Sequence, residues 1–166
     1  MVHTSSQKTD SADHQQCTSG KKLPVVRDGK NVRDWLYVMD HAKGIDMVQE
    51  KEDFSRHIYR WSHEKQNIQI IHIILDTLQE MLPEGDPRKE LVSENLITYV
   101  EDRKGHDRRY AIAPDKIKEE VGWYPETCFE DGIRLTIQWF FEHEDWMKNV
   151  TSGDYQKYYE AMYKTK

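Results

Sequence analysis

Six aliphatic residues, Ile68, Ile71, Ile74, Leu75, Leu78 and Leu82, recur at three- and four-residue intervals, and the series stops at Pro83. With 3.6 residues per helical turn, this spacing draws the six side chains into one stripe. Pro83 ends the helix, because its ring lacks an N–H and collides with the preceding turn. An isolated helix of this length is marginal in water, so the stripe must be covered by the rest of the chain. Asn67, immediately before the series, is the expected N-cap.

The surrounding sequence supplies short elements that could do the covering. Asp34 to Val38 alternates and carries Trp35 and Tyr37, which predicts a strand. Asp40 is placed to cap a helix from His41 to Glu50. Ile58 to Trp61 and Leu96 to Val100 read as short strands, and Pro83 to Pro87 as a turn-rich loop. Pro114 suits the first turn of a short helix that ends at Gly122. Thr127 and Glu130 have capping-box spacing, ahead of a helix to about Val150 that buries Ile133, Ile137, Phe140 and Phe141. A last amphipathic helix is expected over Asp154 to Tyr163, with its tyrosines as packing surface. Helices mixed with a few short strands make the expected class α/β.

Residues 1–20 are almost free of aliphatic side chains, so they are expected to form a disordered polar tail ahead of a folded region, 21–166. The formal charge of -6 argues against nucleic-acid binding, which needs a basic footprint. Cys17 and Cys128 lack metal-ligand spacing and read as free thiols in a reducing compartment. No apolar run approaches a membrane span, and no secretory leader opens the chain. The expected location is the cytoplasm. Neither a zincin His-Glu-x-x-His nor a Gly-x-Ser-x-Gly elbow occurs.

Arg103, Lys104, His106, Arg108 and Arg109 crowd four cations and an imidazole into seven residues, with Gly105 allowing a tight turn. Guanidinium forks match phosphate oxygens, so a diphosphate clamp is one reading. A solvated loop neutralised by Glu101, Asp102 and Asp107 is the other.

Glu101 to Ile112, EDRKGHDRRYAI, resembles a signature of the dTDP-glucose 4,6-dehydratase family, as does GKNVRDWLYV followed by Asp40-His41-Ala42. EKQN at Glu64, GWYPET at Gly122, FEDGI at Phe129 and SGDYQ at Ser152 follow in the family's order. The likeness covers about residues 22–163. It implies a partial extended short-chain dehydrogenase/reductase fold, mainly the C-terminal sugar-nucleotide-binding part, and a dTDP-sugar as small-molecule partner. It further implies that Arg33 and Arg103 contact the phosphate region, and that Asn67, His106 and Tyr163 lie beside the nucleotide. Arg33 could equally pair with Asp34 or Asp28, and Asn67 could equally serve only as a cap.

The family reaction, NAD-dependent loss of water from dTDP-glucose, requires a Gly-rich dinucleotide loop and a Tyr-x-x-x-Lys pair. This sequence contains no GxGxxG or GxxGxxG, and none of its nine tyrosines has lysine four residues later. The expectation is therefore a C-terminal fragment without a Rossmann NAD domain and without catalytic residues, inactive alone. Two alternatives stand beside it: activity when assembled with a separate Rossmann-containing chain, and a non-enzymatic helical interaction module; a homo-oligomer is the other partner state left open. Val26-Arg27 also departs from the family, which usually has Tyr-Gly before Asp28-Gly29. The Tyr59–His63 stretch is about two residues short of the family loop.

Overall fold

The computed structural model describes residues 16–50, 64–102, 106–109 and 115–151. The chain divides into two compact units, Met1–Arg134 and Leu135–Lys166. The described residues contain strands β1 (Leu23–Val26), β2 (Val32–Asp34), β3 (Glu64–Gln66) and β4 (Ile97–Val100). The helices are α1 (Val38–Gln49), α2 (Asn67–Met81), α3 (Pro87–Leu91), α4 (Asp115–Val121), α5 (Phe129–Glu142) and α6 (Glu144–Thr151). The class is α/β, as expected. The expected strand over Ile58–Trp61 and helix over Asp154–Tyr163 lie outside the described residues, as does the tail over residues 1–15.

The strands form two separate pairs. β1 and β4 are parallel, with Val26 opposite Val100 at their C-terminal ends. β2 and β3 are antiparallel, with Val32 opposite Gln66 and Asp34 opposite Glu64. In the first unit α2 supplies the main apolar stripe. Ile71, Ile74, Leu75, Leu78 and Leu82 are buried, joined by Ile70. Leu23, Val25, Trp35, Leu96, Ile117, Trp123, Phe129 and Ile133 are buried as well. Trp35 meets Phe129 edge to face at 6.4 Å between ring centres, the arrangement that aromatic quadrupoles favour.

Two expected caps are corrected. β3 runs directly into α2, and Gln66, the last strand residue, is the N-cap. Its side chain accepts from the N3 backbone, while Gln69 Oε1 accepts the Gln66 N–H at 2.8 Å. Asn67 is the first helical residue instead, and its N–H bonds to the Asn31 carbonyl at 3.0 Å. Asp40 does not cap α1 either. The helix begins two residues earlier than Asp40, with Tyr37 as N-cap and no side-chain capping bond. The expected strand over Asp34–Val38 accordingly ends at Asp34.

Asp40 is buried within the first turn of α1, and its carboxylate Oδ2 accepts the Thr127 N–H at 3.0 Å. Its carbonyl accepts Trp123 Nε1–H at 3.1 Å. Asp40 thus ties α1 to the loop between α4 and α5, a contact across more than eighty residues that local spacing cannot signal. Replacing Asp40 with Ala strands one backbone donor, and chemical denaturation should show a loss of about 1–2 kcal/mol.

Other boundaries shift for local reasons. Gln16–Gly20 is not tail. Gly20 N–H and Lys21 N–H close a turn onto the Cys17 and Gln16 carbonyls at 3.1 and 2.9 Å, and Cys17 is fully buried. A free cysteine packs as a small hydrophobe, which composition alone hides. The long helix expected to reach Val150 breaks at His143. There the backbone N–H turns to the carbonyl of Phe140, and ring Nδ1–H donates to the Trp139 carbonyl at 2.7 Å. In the second unit Ile137, Phe140 and Met147 are buried, while the half-exposed Trp139 stacks on His143 at 4.3 Å.

Candidate functional site

The site is built at the turn from β1 to β2 and at the return of the chain after β4. Gly29 takes φ +70, a conformation glycine adopts without penalty, and its N–H bonds back to the Val26 carbonyl at 2.9 Å. The Gly29 carbonyl receives the Ile68 N–H at 3.0 Å, which pins the start of α2 to this turn. On the other side of β2, Val32 N–H bonds to the Arg108 carbonyl at 2.8 Å, with a parallel bridge to Arg109. The segment 106–109 is thereby laid beside β2.

That register brings Arg33 against His106. The Arg33 side chain is buried at 2% exposure. Its Nη2 lies 2.8 Å from His106 Nε2 and donates to the Asp107 carbonyl at 3.0 Å, and Nη1 donates to the Val32 carbonyl at 2.7 Å. Arginine has only donors, so Nε2 is the acceptor and the ring proton sits on Nδ1. Nδ1–H then donates to Asp102 Oδ1 at 2.7 Å, with both side chains 3% exposed. Asn31, equally buried, lies against the ring, with its amide nitrogen 3.4 Å from Nδ1. Asp102 Oδ2 is 3.0 Å from Arg27 Nε. Burial strengthens the contacts of Arg33 and Asp102 with the ring relative to water.

The network extends to the protein surface. Arg27 has φ 52, a left-handed conformation that costs a residue with a Cβ about 1–2 kcal/mol. Just beyond the C-terminal ends of β1 and β4, an open cleft of about 480 Å³ is lined by Arg27, Tyr99, Val100, Glu101 and Asp102.

Of the expected site residues, the structure joins Arg33 and His106 directly. Asn67 sits at the first position of α2, tied to Asn31 by its backbone, and its Oδ1 is buried without a hydrogen-bond partner among the described residues. Arg103 and Tyr163 lie outside the described residues. The rest of the cationic cluster is split. Arg108 reaches Asp28 at 3.2 Å, and Arg109 forms a two-pronged pair with Glu64 at 3.0 and 2.8 Å. The carboxylates engaged by these arginines are thus not the adjacent Glu101 or Asp107. The Lys30 backbone N–H, then Arg108, holds the Asp28 carboxyl below its ordinary range. Glu64 raises the Arg109 guanidinium above its own.

Asn31, Asp102 and Arg27 were not foreseen as site residues. Asp102 stands four residues before His106, a spacing that also arises by chance. The Arg27 signal was its replacement of a glycine, which gains meaning only with the left-handed φ.

Residues 6–136 match the family described as GDP-mannose 4,6 dehydratase. The chain is 44% identical over 145 residues to a dTDP-glucose 4,6-dehydratase of Escherichia coli, covering 87% of this chain and 39% of that protein. It superposes with a TM-score of 0.66 and 37% identity on a Bacillus anthracis dTDP-glucose 4,6-dehydratase in complex with NAD, covering 81% of this chain and 39% of that one. A double mutant of the Streptomyces venezuelae dTDP-glucose 4,6-dehydratase, with NAD and DAU bound, gives a TM-score of 0.70 at 31% identity, over 84% of this chain and 40% of that one. The chain therefore spans about two-fifths of the length of the relatives it matches. On the match over residues 6–136, supported by these relatives, the chain belongs to the nucleotide-sugar dehydratase family described as GDP-mannose 4,6 dehydratase.

Proposed function

We propose that this chain carries part of the nucleotide-sugar site of a dTDP-glucose 4,6-dehydratase-type enzyme and binds a dTDP-sugar without turning it over alone. The observation that carries this reading is the 2.8 Å contact between Arg33 and His106, two residues of the family resemblance drawn together by the pairing of β2 with the segment after β4. In this reading Arg33 supplies fixed positive charge close to the phosphates, and its bonds to His106 and two carbonyls hold its plane. Asn67 offers a buried amide oxygen at the same corner. Arg103 and Tyr163 remain proposed contacts.

NAD belongs to the proposal for the family reaction, as hydride acceptor and donor. In this reading NAD is held by residues other than those described. Gly29 is the turn glycine that packs closest, and the space where its Cβ would stand is filled by Ile68 and Val25, not left open to a pyrophosphate. The sequence has neither the dinucleotide loop nor the Tyr-x-x-x-Lys pair. Binding without turnover by the pure chain is the behaviour proposed.

The test is a thermal melt of the purified chain with and without dTDP. A ligand at a hundredfold excess over its Kd stabilises by about 2.7 kcal/mol. For a chain of this size the melting temperature should rise by about 5–10 °C. A cooperative melt that dTDP leaves unmoved overturns the reading. It would favour a non-enzymatic interaction module, for which the exposed Trp139 and Trp146 of the second unit are the supporting observation. NAD-dependent dehydration by the pure chain would instead refute the claim of inactivity.

A further inference from the structure

We infer that Arg27 is a positioning residue that acts through Asp102 to set the ring tautomer of His106. The inference rests on the proposed dTDP site only for the identity of its ligand. Three observations carry it. Arg27 adopts a left-handed backbone at φ 52, although it bears a Cβ. Its guanidinium Nε stands 3.0 Å from Asp102 Oδ2, on a carboxylate that is 3% exposed. The other oxygen of that carboxylate receives His106 Nδ1–H at 2.7 Å, and the opposite ring nitrogen faces Arg33 at 2.8 Å.

Strain at a residue persists where the surroundings over-determine it. Here the Arg27 N–H is fixed to the Val100 carbonyl at 2.8 Å, which aims the side chain over the end of β4 toward Asp102. The guanidinium charge attracts Oδ2 and leaves Oδ1 turned toward the ring. An ionised Asp102 accepts, so Nδ1 must donate. Nε2 is then left as a lone pair, which is what the Arg33 fork requires. A ring with its proton on Nε2 would set N–H against N–H and turn Arg33 away. Arg27 therefore governs the position of Arg33 without touching it.

The experiment compares the full chain with Arg27→Gly, Arg27→Gln and Arg27→Lys, reading ¹⁵N signals of the His106 ring, the melting temperature and dTDP affinity. Arg27→Gly and Arg27→Gln both lose the pair with the buried Asp102 carboxylate, and Arg27→Gly should melt above Arg27→Gln, because glycine relieves the left-handed strain. The Nδ1–H signature should give way to a mixture of tautomers. Affinity for dTDP should fall about tenfold, the loss common when a partner that orients a working imidazole is removed. Arg27→Gln, which keeps the Cβ and removes the charge, should show the same ring change, and Arg27→Lys should restore the wild-type ring. An unaltered ring in both the Gly and Gln variants overturns the inference, whatever affinity does. If the wild-type chain ignores dTDP, the proposed function fails, and the ring signals still decide whether Arg27 controls His106.

Discussion

Gly29→Ala should destabilise the chain by about 2–4 kcal/mol. Two terms combine. The backbone at φ +70 suits glycine and costs alanine about 1 kcal/mol. The added Cβ would also stand 2.7 Å from Ile68 Cβ and 2.9 Å from Val25 Cγ1, closer than carbon atoms tolerate. Neither neighbour is the free end of a flexible side chain. Relief requires β1 and the first turn of α2 to separate, and overpacking of this kind costs about 1–3 kcal/mol. Urea denaturation should report the lower midpoint with an unchanged slope. The same separation would pull the Ile68 N–H from the Gly29 carbonyl and shift Asn67 relative to Arg33. Any response to dTDP should weaken along with stability. A variant as stable as the parent would mean that the turn repacks freely, and the corner would then not be the rigid support described here.

Arg33→Met should be the most damaging change for ligand binding. It removes the guanidinium from three acceptors, the Val32 and Asp107 carbonyls and His106 Nε2. A buried acceptor left without a donor costs about 1–3 kcal/mol, so a stability loss of about 3 kcal/mol is expected. Hydrogen bonds to charged groups contribute about 1.5–3 kcal/mol, so dTDP binding should fall by roughly tenfold to a hundredfold. Calorimetric titration well below the melting transition separates the two effects. Arg33→Lys is the informative companion. It keeps the charge and loses the planar fork, so affinity should recover in part while the bonds to His106 and Asp107 do not both return. Equal binding by parent and Met variants would reduce Arg33 to a structural residue and withdraw the main support for the proposed site.

Much of the architecture was legible along the chain because it depends on neighbours in sequence. The stripe from Ile71 to Leu82 is buried as its spacing requires, and Gly122, at φ 73, closes α4 where a C-terminal glycine should. The β4 strand begins one residue later than expected, after a 3₁₀ turn over Glu94–Leu96. The caps at Asn67 and Asp40 were misread because both residues are claimed by distant partners. A capping rule counts only residues within one turn. It cannot register that Asn31 takes the Asn67 N–H, or that Thr127 and Trp123 donate to the Asp40 carboxylate Oδ2 and backbone carbonyl.

The candidate site divides along the same line. The sequence by itself determined which chemical groups are available: a fixed cation at Arg33, an imidazole at His106 and an amide at Asn67. Tertiary structure alone decided which of them meet. Arg33 and His106 are seventy-three residues apart and touch because β2 is bonded to the segment after β4. Arg108 and Arg109, members of the same cationic cluster as His106, are turned to Asp28 and Glu64. Charge is a property of composition, but its pairing is a property of distance, and distance between remote residues is set by strand register and by the close-packed turn at Gly29.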